Sequence, residues 1–492
     1  MKLSRRTFGL GLGSLSLLSA CARPLGTIAP WSTAQLVNDS QSRLNATWVS
    51  QVHTPSTPST VADLVRQCRR DGMPLAVCGG RHAMGGQQFR SNGALLDSRS
   101  LSSIGPVDQA RRLVTVGAGV QWPELIDALE AQQGGRDAML TIREKQTGVD
   151  KVCLGGTIAA NAHGRGLHWP PFVHDIERMT VVTAAGEVVE CSRRENGELF
   201  SLIVGGYGLF GIVCDVTLRL VPRTKVQRHV EVILLRDLLT KIEQRRAAGY
   251  LYGDCQYSID LRGSAEEYPG VFSCYRPVAD DVEISAAPLK LNTEDWIRLY
   301  GYTRTDKRRA FEEYARYYAS TNGQVYWSDR HQLAGTFFDA YRLAVQDKNA
   351  TEVLTEVYIP YDALFDFLRA ARDRLIGMGA DLTYGTIRFI EKDQETFLAW
   401  AKDRCVCIVC NLNVTHSTAG IERAAAQFRE LIDLALDHGG RYFLTYHRWA
   451  TTRQVTRAYP QFTDFLKLKL KYDPALILQS DWFNAYKHIL TV

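Results

Sequence analysis

Short apolar runs and amphipathic segments alternate along the first half of the chain, between about residues 45 and 222. Short apolar runs bounded by turn residues are typical of buried strands, whereas apolar residues three and four apart are typical of helices. The patterns predict strands over 74–78, 94–97, 113–116 and 212–220, a hairpin over 179–191, and helices over 61–71 and 122–132. Such alternation predicts layers of helices and sheets.

The second half carries longer patterns. Helices are predicted over 306–320, 361–378 and 421–438, and strands over 355–359, 384–390 and 405–414. Phe311, Tyr314 and Tyr318 form an aromatic stripe on the first of these helices, and their spacing predicts a core face. Because the chain of 492 residues is too long for one core, we expect two domains or one domain with a large insertion.

The N-terminal residues predict export. Arg5 and Arg6 precede an apolar run over 8–18 that is too short to span a bilayer, and together they resemble a twin-arginine signal. The residues before Cys21 resemble a lipobox, which predicts a lipidated, periplasmic protein anchored to a membrane. An ordinary cleavage site is the alternative, and residues 1–40 are set apart as signal and linker.

Charge and cysteine spacing exclude two other classes of site. The formal net charge of +5 falls to +2 when Lys2 and the arginine pair leave with the signal, so no nucleic-acid face is expected. Cys405, Cys407 and Cys410 lie in an apolar run without the second ligand pair that metal sites need. We interpret them as strand core and predict no metal site.

The strongest candidate site is the segment 73–89, MPLAVCGGRHAMGGQQF. A predicted strand ends in one glycine pair and a second pair follows. Glycine admits positive φ, and successive N–H groups in such a loop form an anion-binding concavity. His82 is its one reactive side chain. The loop is neither a Walker A motif nor a Rossmann fingerprint; taken alone, it is also compatible with a surface turn.

Two further glycine-rich segments follow. Residues 148–166, GVDKVCLGGTIAANAHGRG, are mostly small and would let a planar ligand lie against the backbone, with His163 and Arg165 as polar groups. Residues 206–211 match G-x-G-x-x-G, but a predicted strand follows them instead of a helix, which argues against a dinucleotide fold.

The order of these motifs resembles the PCMH-type FAD-binding domain of the vanillyl-alcohol oxidase family. GGRHAMGGQ is followed by LLD, VTVGAGVQWPEL, LGGTIAANAHGRG, VVTAAGEVVECSRRENGELF and GGYGLFGIVCDVTLRLVP, over about residues 47–222. The resemblance implies an α+β fold with a two-part FAD-binding domain over 41–222. A substrate (cap) domain over 223–438 and a segment over 439–492 that returns to the FAD domain would complete it.

The resemblance also implies FAD, with its pyrophosphate in the loop 79–86 and an 8α-histidyl bond to His82. A histidine that only contacts the flavin ring is the alternative. Some relatives add a cysteinyl link, but Val149 holds the aligned position and Cys153 is out of register, so one covalent bond is expected. The implied cofactor-binding residues are Cys78, Gly79, Gly80, Arg81, His82, Ala83, Met84, Gly85, Gln87, Gly148, Gly155, Gly156, Thr157, Ala160, His163, Gly164, Gly211, Ile212 and Lys471.

The cap supplies the candidate catalytic residues. Thr386-Ile-Arg388 resembles the Glu-x-Arg strand of sugar-lactone and alditol oxidoreductases, with Thr386 in place of the glutamate. Residues i and i+2 share one face of a strand, and a cation there would stabilise negative charge on the reduced flavin. A rim salt bridge is the alternative for Arg388.

The segment 439–449, predicted to end a strand, resembles a region of decaprenyl-phosphoryl-ribose oxidases. Those carry an active lysine near the position of Tyr446 or His447, and no lysine stands here. Tyr446 and His447 are therefore the candidate bases, since the ordinary pKa of histidine lies near working pH. A histidine packed under the flavin is the alternative for His447.

The predicted function is a flavin-dependent oxidation of a C–OH group in a sugar, polyol, lactone or other small alcohol, by hydride transfer to flavin N5. The electron acceptor stays open between O₂, as for an oxidase, and a quinone or cytochrome, as for a dehydrogenase. A non-catalytic exported flavin-binding protein and a membrane-anchored scaffold are the alternatives from other classes.

Overall fold

The computed structural model describes residues 34–134, 138–264, 267–345 and 349–491. The predicted signal, with Arg5, Arg6 and Cys21, lies outside these residues. The strands are β1 Gln35–Val37, β2 Thr47–Val49, β3 Gln51–His53, β4 Leu75–Cys78, β5 Ala94–Asp97, β6 Leu113–Gly117, β7 Leu140–Thr141, β8 Ile176–Val182, β9 Val188–Ser192, β10 Ile212–Arg219, β11 Val221–Pro222, β12 Lys225–Leu234, β13 Tyr252–Tyr257, β14 Pro269–Pro277, β15 Val325–Trp327, β16 Ala350–Pro360, β17 Leu382–Ile390, β18 Cys405–Thr415 and β19 Arg441–Tyr442.

The helices complete a mixed helix and sheet fold, as the sequence predicts. They are α1 Pro58–Arg70, α2 Trp122–Gln133, α3 Leu154–Ala160, α4 Gly197–Ile203, α5 Leu238–Ala247, α6 Thr293–Thr305, α7 Lys307–Ser320, α8 Phe337–Ala344, α9 Leu364–Gly377, α10 Thr418–Asp437, α11 Thr452–Ala458, α12 Phe462–Tyr472 and α13 Asp481–Tyr486. Short 3₁₀ turns join several of these elements. No helix in the described part of the chain is long and apolar enough to cross a membrane.

Two larger sheets build the first half, beside the two-stranded sheets β1-β2 and β7-β11. A parallel sheet of order β3-β5-β4 carries the strand that precedes the glycine loop. An antiparallel sheet of order β6-β10-β8-β9 forms the other layer, and β8 and β9 are the predicted hairpin. Between the two sheets lies α1, which begins at a Thr57 capping box and buries Val61, Ala62 and Val65. The glycine loop therefore starts from β4, an edge strand that is paired along its length with β5.

An antiparallel sheet of eight strands forms the second half. Its order is β15-β12-β14-β13-β17-β18-β16-β19, so strands from distant parts of the chain lie side by side. Cys407 lies opposite both Arg388 and Tyr358, and Val409 lies opposite both Thr386 and Glu356. Because directly paired residues point to the same face of a sheet, these side chains share one face.

The C-terminal segment packs against the first half. Leu75 at the start of β4 donates its N–H to the Ile477 carbonyl at 2.7 Å and forms a parallel bridge with Leu478. The ring of Trp482 lies 5.0 Å from that of Tyr207, centroid to centroid. The last helices thus support the strand from which the glycine loop starts.

Several predicted elements differ from those observed. The segment 439–449 contains only the two-residue strand β19, and a turn-rich loop follows it. The predicted aromatic core face on α7 is only partly buried, since Phe311, Tyr314 and Tyr318 are half-buried. The first two line an apolar cavity between α6, α7 and the large sheet, with about 580 Å³ of empty space including the part open to solvent.

All ten cysteines of the described residues have free thiols and are buried. Cys405 and Cys410 lie in the core of the large sheet. Cys407 is also in the core, but its thiol has a polar partner that is described below.

Candidate active site

The glycine loop begins where β4 ends. Arg81 lies in the left-handed region at φ +60°, and Gly86 at φ +75°. The Ser40 N–H donates to the Arg81 carbonyl at 2.9 Å, which fixes this reversal of the chain. Gly86 requires its glycine, because φ is positive and a Cβ there would lie 2.0 Å from the Arg448 guanidinium.

The loop leaves backbone donors open. The N–H groups of Arg81, His82 and Ala83 have no acceptor among the described residues. Consecutive N–H groups around a left-handed residue form an anion-binding concavity. The loop thus supplies donors of the kind that a phosphate group takes.

Close backbone packing holds the loop against its neighbours. A Cβ on Gly80 would lie 2.3 Å from the Lys151 carbonyl oxygen, and a Cβ on Gly85 would lie 2.3 Å from that of Tyr446. Both contacts are with backbone, which does not move aside cheaply. The loop therefore packs directly on the segment before α3 and on the loop after β19.

His82 lies at the centre of the loop. Its Nδ1 lies 3.3 Å from the Ser40 hydroxyl, and the Phe338 ring packs edge-on at 5.4 Å. Burial lowers the pKa of His82 to about 4, although a hydrogen bond with the Lys151 backbone acts in the opposite direction. The ring is neutral at pH 7 and keeps a nitrogen lone pair.

These elements enclose a cleft between the two halves of the chain. The empty space between its walls is about 1520 Å³, including the part open to solvent. The small residues of α3 form one wall, and a flat ligand can approach their backbone closely. The predicted residues that line the cleft are Cys78, Gly79, Gly80, Arg81, His82, Ala83, Met84, Gln87, Gly155, Gly156, Thr157, Ala160, His163, Gly211, Ile212, Arg388 and Tyr446.

Five other predicted residues do not line the cleft. They are Gly85, Gly148, Gly164, His447 and Lys471. The Lys471 ammonium is largely exposed and pairs with Glu198 at 2.6 Å. The His447 ring stacks on Trp449 at 4.1 Å, and burial lowers its pKa to about 3. The adjacent residue, Tyr446, faces the cleft.

Arg388, on β17 of the large sheet, places a cation in the wall of the cleft. Its guanidinium makes no hydrogen bond or ion pair within the described residues, and its Nε is buried without a partner. The charges of Glu356 and Asp254 act on this guanidinium from a distance, but no carboxylate of the described residues contacts it. This position is therefore suited to an anion or to a group that becomes negative during a reaction.

A buried carboxylate, Glu356, lies on the same wall. Its Oε1 accepts from the Cys407 thiol at 2.9 Å and the Tyr358 hydroxyl at 3.2 Å, and it also contacts His163 Nε2. Its Oε2 accepts from the Tyr446 hydroxyl at 2.5 Å. Four side chains from four parts of the chain therefore converge on one carboxylate.

The surrounding charges decide the ionisation of this group. Burial acts to raise the pKa of Glu356, but the charge and hydrogen bond of His163, followed by the charge of Arg388, lower it to about 2. Burial and the adjacent carboxylate raise the pKa of Tyr446 well above its usual value. At neutral pH the pair is a carboxylate anion and a neutral phenol.

Sequence analysis missed Glu356, and Cys407 was assigned only to the strand core. The signal for Glu356 was one acidic residue inside the apolar run LTEVYIP. The ligand atoms of His163, Glu356 and Cys407 lie within 4.8 Å of one another, a spacing that would also suit a metal ion. Hydrogen bonds to the carboxylate account for the arrangement without one, since each donor already has its acceptor.

Part of the first half matches a known family of domains. Residues 49–192 match the family described as an FAD binding domain. This part of the chain is therefore an FAD-binding domain. The cleft fits this cofactor, because the glycine loop offers unpaired backbone donors, α3 offers a wall of small residues, and Arg388 offers an unpaired cation among the described residues.

The chain is also similar, over different lengths, to several oxidoreductases. The chain is 29% identical over 191 residues, 38% of its length, to mitochondrial L-galactono-1,4-lactone dehydrogenase of Arabidopsis thaliana, and this match spans 30% of that protein. It is 30% identical over 39% of its length to an uncharacterised oxidoreductase of Rhodococcoides fascians, 44% of which is spanned. The match to L-gulono-1,4-lactone dehydrogenase of Mycobacterium tuberculosis is 22% identical over 88% of this chain and 95% of that protein. With the FAD-binding domain, these matches indicate an FAD-binding oxidoreductase family.

Proposed function

We propose that this FAD-binding protein oxidises a C–OH group of a small alcohol, sugar, polyol or lactone, with the flavin attached through His82. The observation that carries the proposal is that Arg388, Tyr446 and Glu356 line the same cleft as the glycine loop. A flavin-binding protein without catalysis has no need of a cation, a phenol and a buried carboxylate in the wall of the cofactor cleft. The names of the lactone dehydrogenases among the relatives support the substrate class.

FAD, when bound, supplies the chemistry by accepting a hydride from the carbon at its N5. The residues of the glycine loop would hold the pyrophosphate through their N–H groups, and Gly155 and Gly156 would lie beside the ring. The neutral His82 would carry the covalent link. Arg388 would stabilise negative charge that develops on the reduced cofactor.

The substrate hydroxyl also loses a proton. Tyr446 reaches the cleft, whereas His447 is stacked on Trp449 away from it, so Tyr446 is the better placed of the two candidate bases. The electron acceptor is either O₂, as for an oxidase, or a quinone or cytochrome, as for a dehydrogenase. Export through a twin-arginine signal and lipidation of Cys21 complete the proposal, and would place the protein at a periplasmic membrane face.

Anaerobic mixing tests the proposed reaction. The flavoprotein is mixed without oxygen with L-gulono-1,4-lactone, L-galactono-1,4-lactone, alditols and simple alcohols, and the loss of the oxidised flavin absorbance is followed. We expect at least one compound with a C–OH group to bleach the flavin in a single turnover. Subsequent addition of O₂ or of a quinone then distinguishes an oxidase from a dehydrogenase.

Matched compounds that lack the hydroxyl serve as controls and should leave the absorbance unchanged. If no member of the panel reduces the flavin, while dithionite does, the proposed function is wrong and a flavin-binding protein without this activity takes its place.

A further inference from the structure

The Glu356 carboxylate determines where the Tyr446 proton points. Tyr446 is the donor to Glu356 Oε2, and the 2.5 Å separation joins a phenol oxygen to a carboxylate oxygen, which can only accept. The phenol proton is therefore turned away from the cleft. The lone pairs of Tyr446 Oη remain to accept a proton from a hydroxyl group in the cleft.

Tyr446 cannot act as a base by itself. Its phenol is neutral at neutral pH because burial and the neighbouring carboxylate raise its pKa. A neutral phenol takes up a proton only if it gives its own away at the same time. Glu356 Oε2 is the acceptor in contact with that proton.

The other groups around Glu356 hold it in place as an anion. His163 faces it from the segment after α3, Arg388 from β17, Cys407 from β18 and Tyr358 from its own strand, β16. Glu356 is 3% exposed and lines the cleft, so bulk water does not compete for its oxygens. The carboxylate is therefore fixed as a single acceptor for the Tyr446 proton.

We propose that Glu356 is a positioning residue that orients Tyr446 and receives its proton during oxidation of the substrate. This rests on the proposed function. The substrate O–H bond breaks as a new O–H bond forms on Tyr446, while the original Tyr446 O–H bond breaks and one forms on Glu356 Oε2. The electron pair leaves the carbon with its hydrogen as a hydride, for which FAD is the acceptor.

The strength of the base is adequate for this task. As the hydride leaves the carbon, the hydroxyl becomes a protonated carbonyl, which is a far stronger acid than a carboxylic acid. A carboxylate with a pKa of about 2 can therefore take the proton at this stage. Afterwards Glu356 is neutral, and its proton can return to the cleft through Tyr446.

Glu356→Gln tests the assignment in the flavoprotein. The amide has nearly the same shape but is a poor proton acceptor. With a substrate found by anaerobic mixing, we expect the rate of flavin reduction to fall about 100-fold, in the range for loss of general base catalysis, with KM nearly unchanged. The rate in the variant should rise with pH, because hydroxide then replaces the missing acceptor.

Glu352→Gln is the matched control. Glu352 is also a buried glutamate on β16, 1% exposed, but it bonds Asn411 at 3.0 Å and is not among the residues that line the cleft. We expect its flavin reduction rate to match that of the unaltered protein. An equal loss in both glutamine variants would reduce the role of Glu356 to structural support and overturn the proposal.

A second readout does not depend on any substrate. The short bond between Tyr446 and Glu356 should give a proton resonance far downfield, identified by its loss in Tyr446→Phe. We expect this resonance to move strongly upfield or vanish in Glu356→Gln and to persist in Glu352→Gln. If the resonance is unchanged in Glu356→Gln, the role proposed for Glu356 is wrong, even where substrate reduces the flavin. If the resonance responds as expected but no compound reduces the flavin, the proposed function is wrong instead.

Discussion

Gly80→Val is expected to weaken flavin binding strongly and to lower the flavin content of the purified protein. A Cβ at this position would lie 2.3 Å from the Lys151 carbonyl oxygen and 3.1 Å from the His82 ring. The first contact is with backbone, so the loop itself must move away from the segment before α3. A cost of about 3 kcal/mol, large for one substitution, would weaken binding about 100-fold and misplace His82. The measurement is the flavin content of the purified protein, from its visible absorbance.

Gly301→Val is the control for this substitution. Gly301 lies within α6 and is exposed, and a Cβ added there would have no heavy atom within 4 Å outside its own helix backbone and its chain neighbours. This variant should retain its flavin, and both variants should give the same far-ultraviolet circular dichroism. A fully loaded Gly80→Val protein would contradict the close packing of the loop.

Asp473→Ala is expected to lower the free energy of unfolding by about 3–5 kcal/mol. The Lys469 ammonium donates to Asp473 at 2.5 Å and to the Leu209 carbonyl at 2.7 Å, and both charged side chains are almost fully buried. Burial lowers the pKa of Lys469 to about 8, so at pH 7 the group is still mostly charged. Without Asp473 the ammonium loses its counterion and its pKa falls further, so folding must either bury an unpaired charge or deprotonate the amine.

The same carboxylate also holds the C-terminal segment. It accepts from the N–H groups of Ile477 at 2.9 Å and Leu478 at 2.8 Å, and these residues continue the sheet beside Leu75. The loss of stability in Asp473→Ala should therefore extend to β4, the strand that precedes the glycine loop. Urea unfolding of the flavoprotein, followed by circular dichroism, measures the effect.

The matched control is Asp464→Ala on α12, the helix that carries Lys469. Asp464 pairs with Lys467 at 2.9 Å, but both side chains are about two-thirds exposed. An exposed pair contributes little, so the change should stay within about 1 kcal/mol. Equal effects of the two substitutions would show that burial of the Lys469 pair is not what stabilises the C-terminal segment.

The local elements of the FAD-binding domain could be predicted because each depends on its own residues. The strand over 94–97 and the helix over 122–132 coincide with β5 and, to within one residue, with α2. Apolar periodicity, an early proline and the glycine pairs were sufficient there. The mixed class of helix and sheet followed from the same patterns and is confirmed.

The candidate site could be predicted only in part, since it is assembled across long separations. Glu356 and Tyr446 are 90 residues apart, and His163 lies 193 residues before Glu356. Their meeting depends on the order of the eight-stranded sheet, which no local pattern reveals. The choice between Tyr446 and His447 likewise depends on the loop after β19, where the sequence predicted the end of a strand and the chain instead turns.

The measurement that tests the central claim most directly is the fate of the flavin after denaturation. Protein from a host with twin-arginine export is precipitated in acid and separated on a denaturing gel, with His82→Ala beside the unaltered protein. We predict flavin fluorescence in the protein band of the unaltered chain and its absence in His82→Ala. Yellow protein that releases all of its flavin would contradict the covalent link to His82, and folded protein without any flavin would contradict the FAD-binding cleft itself.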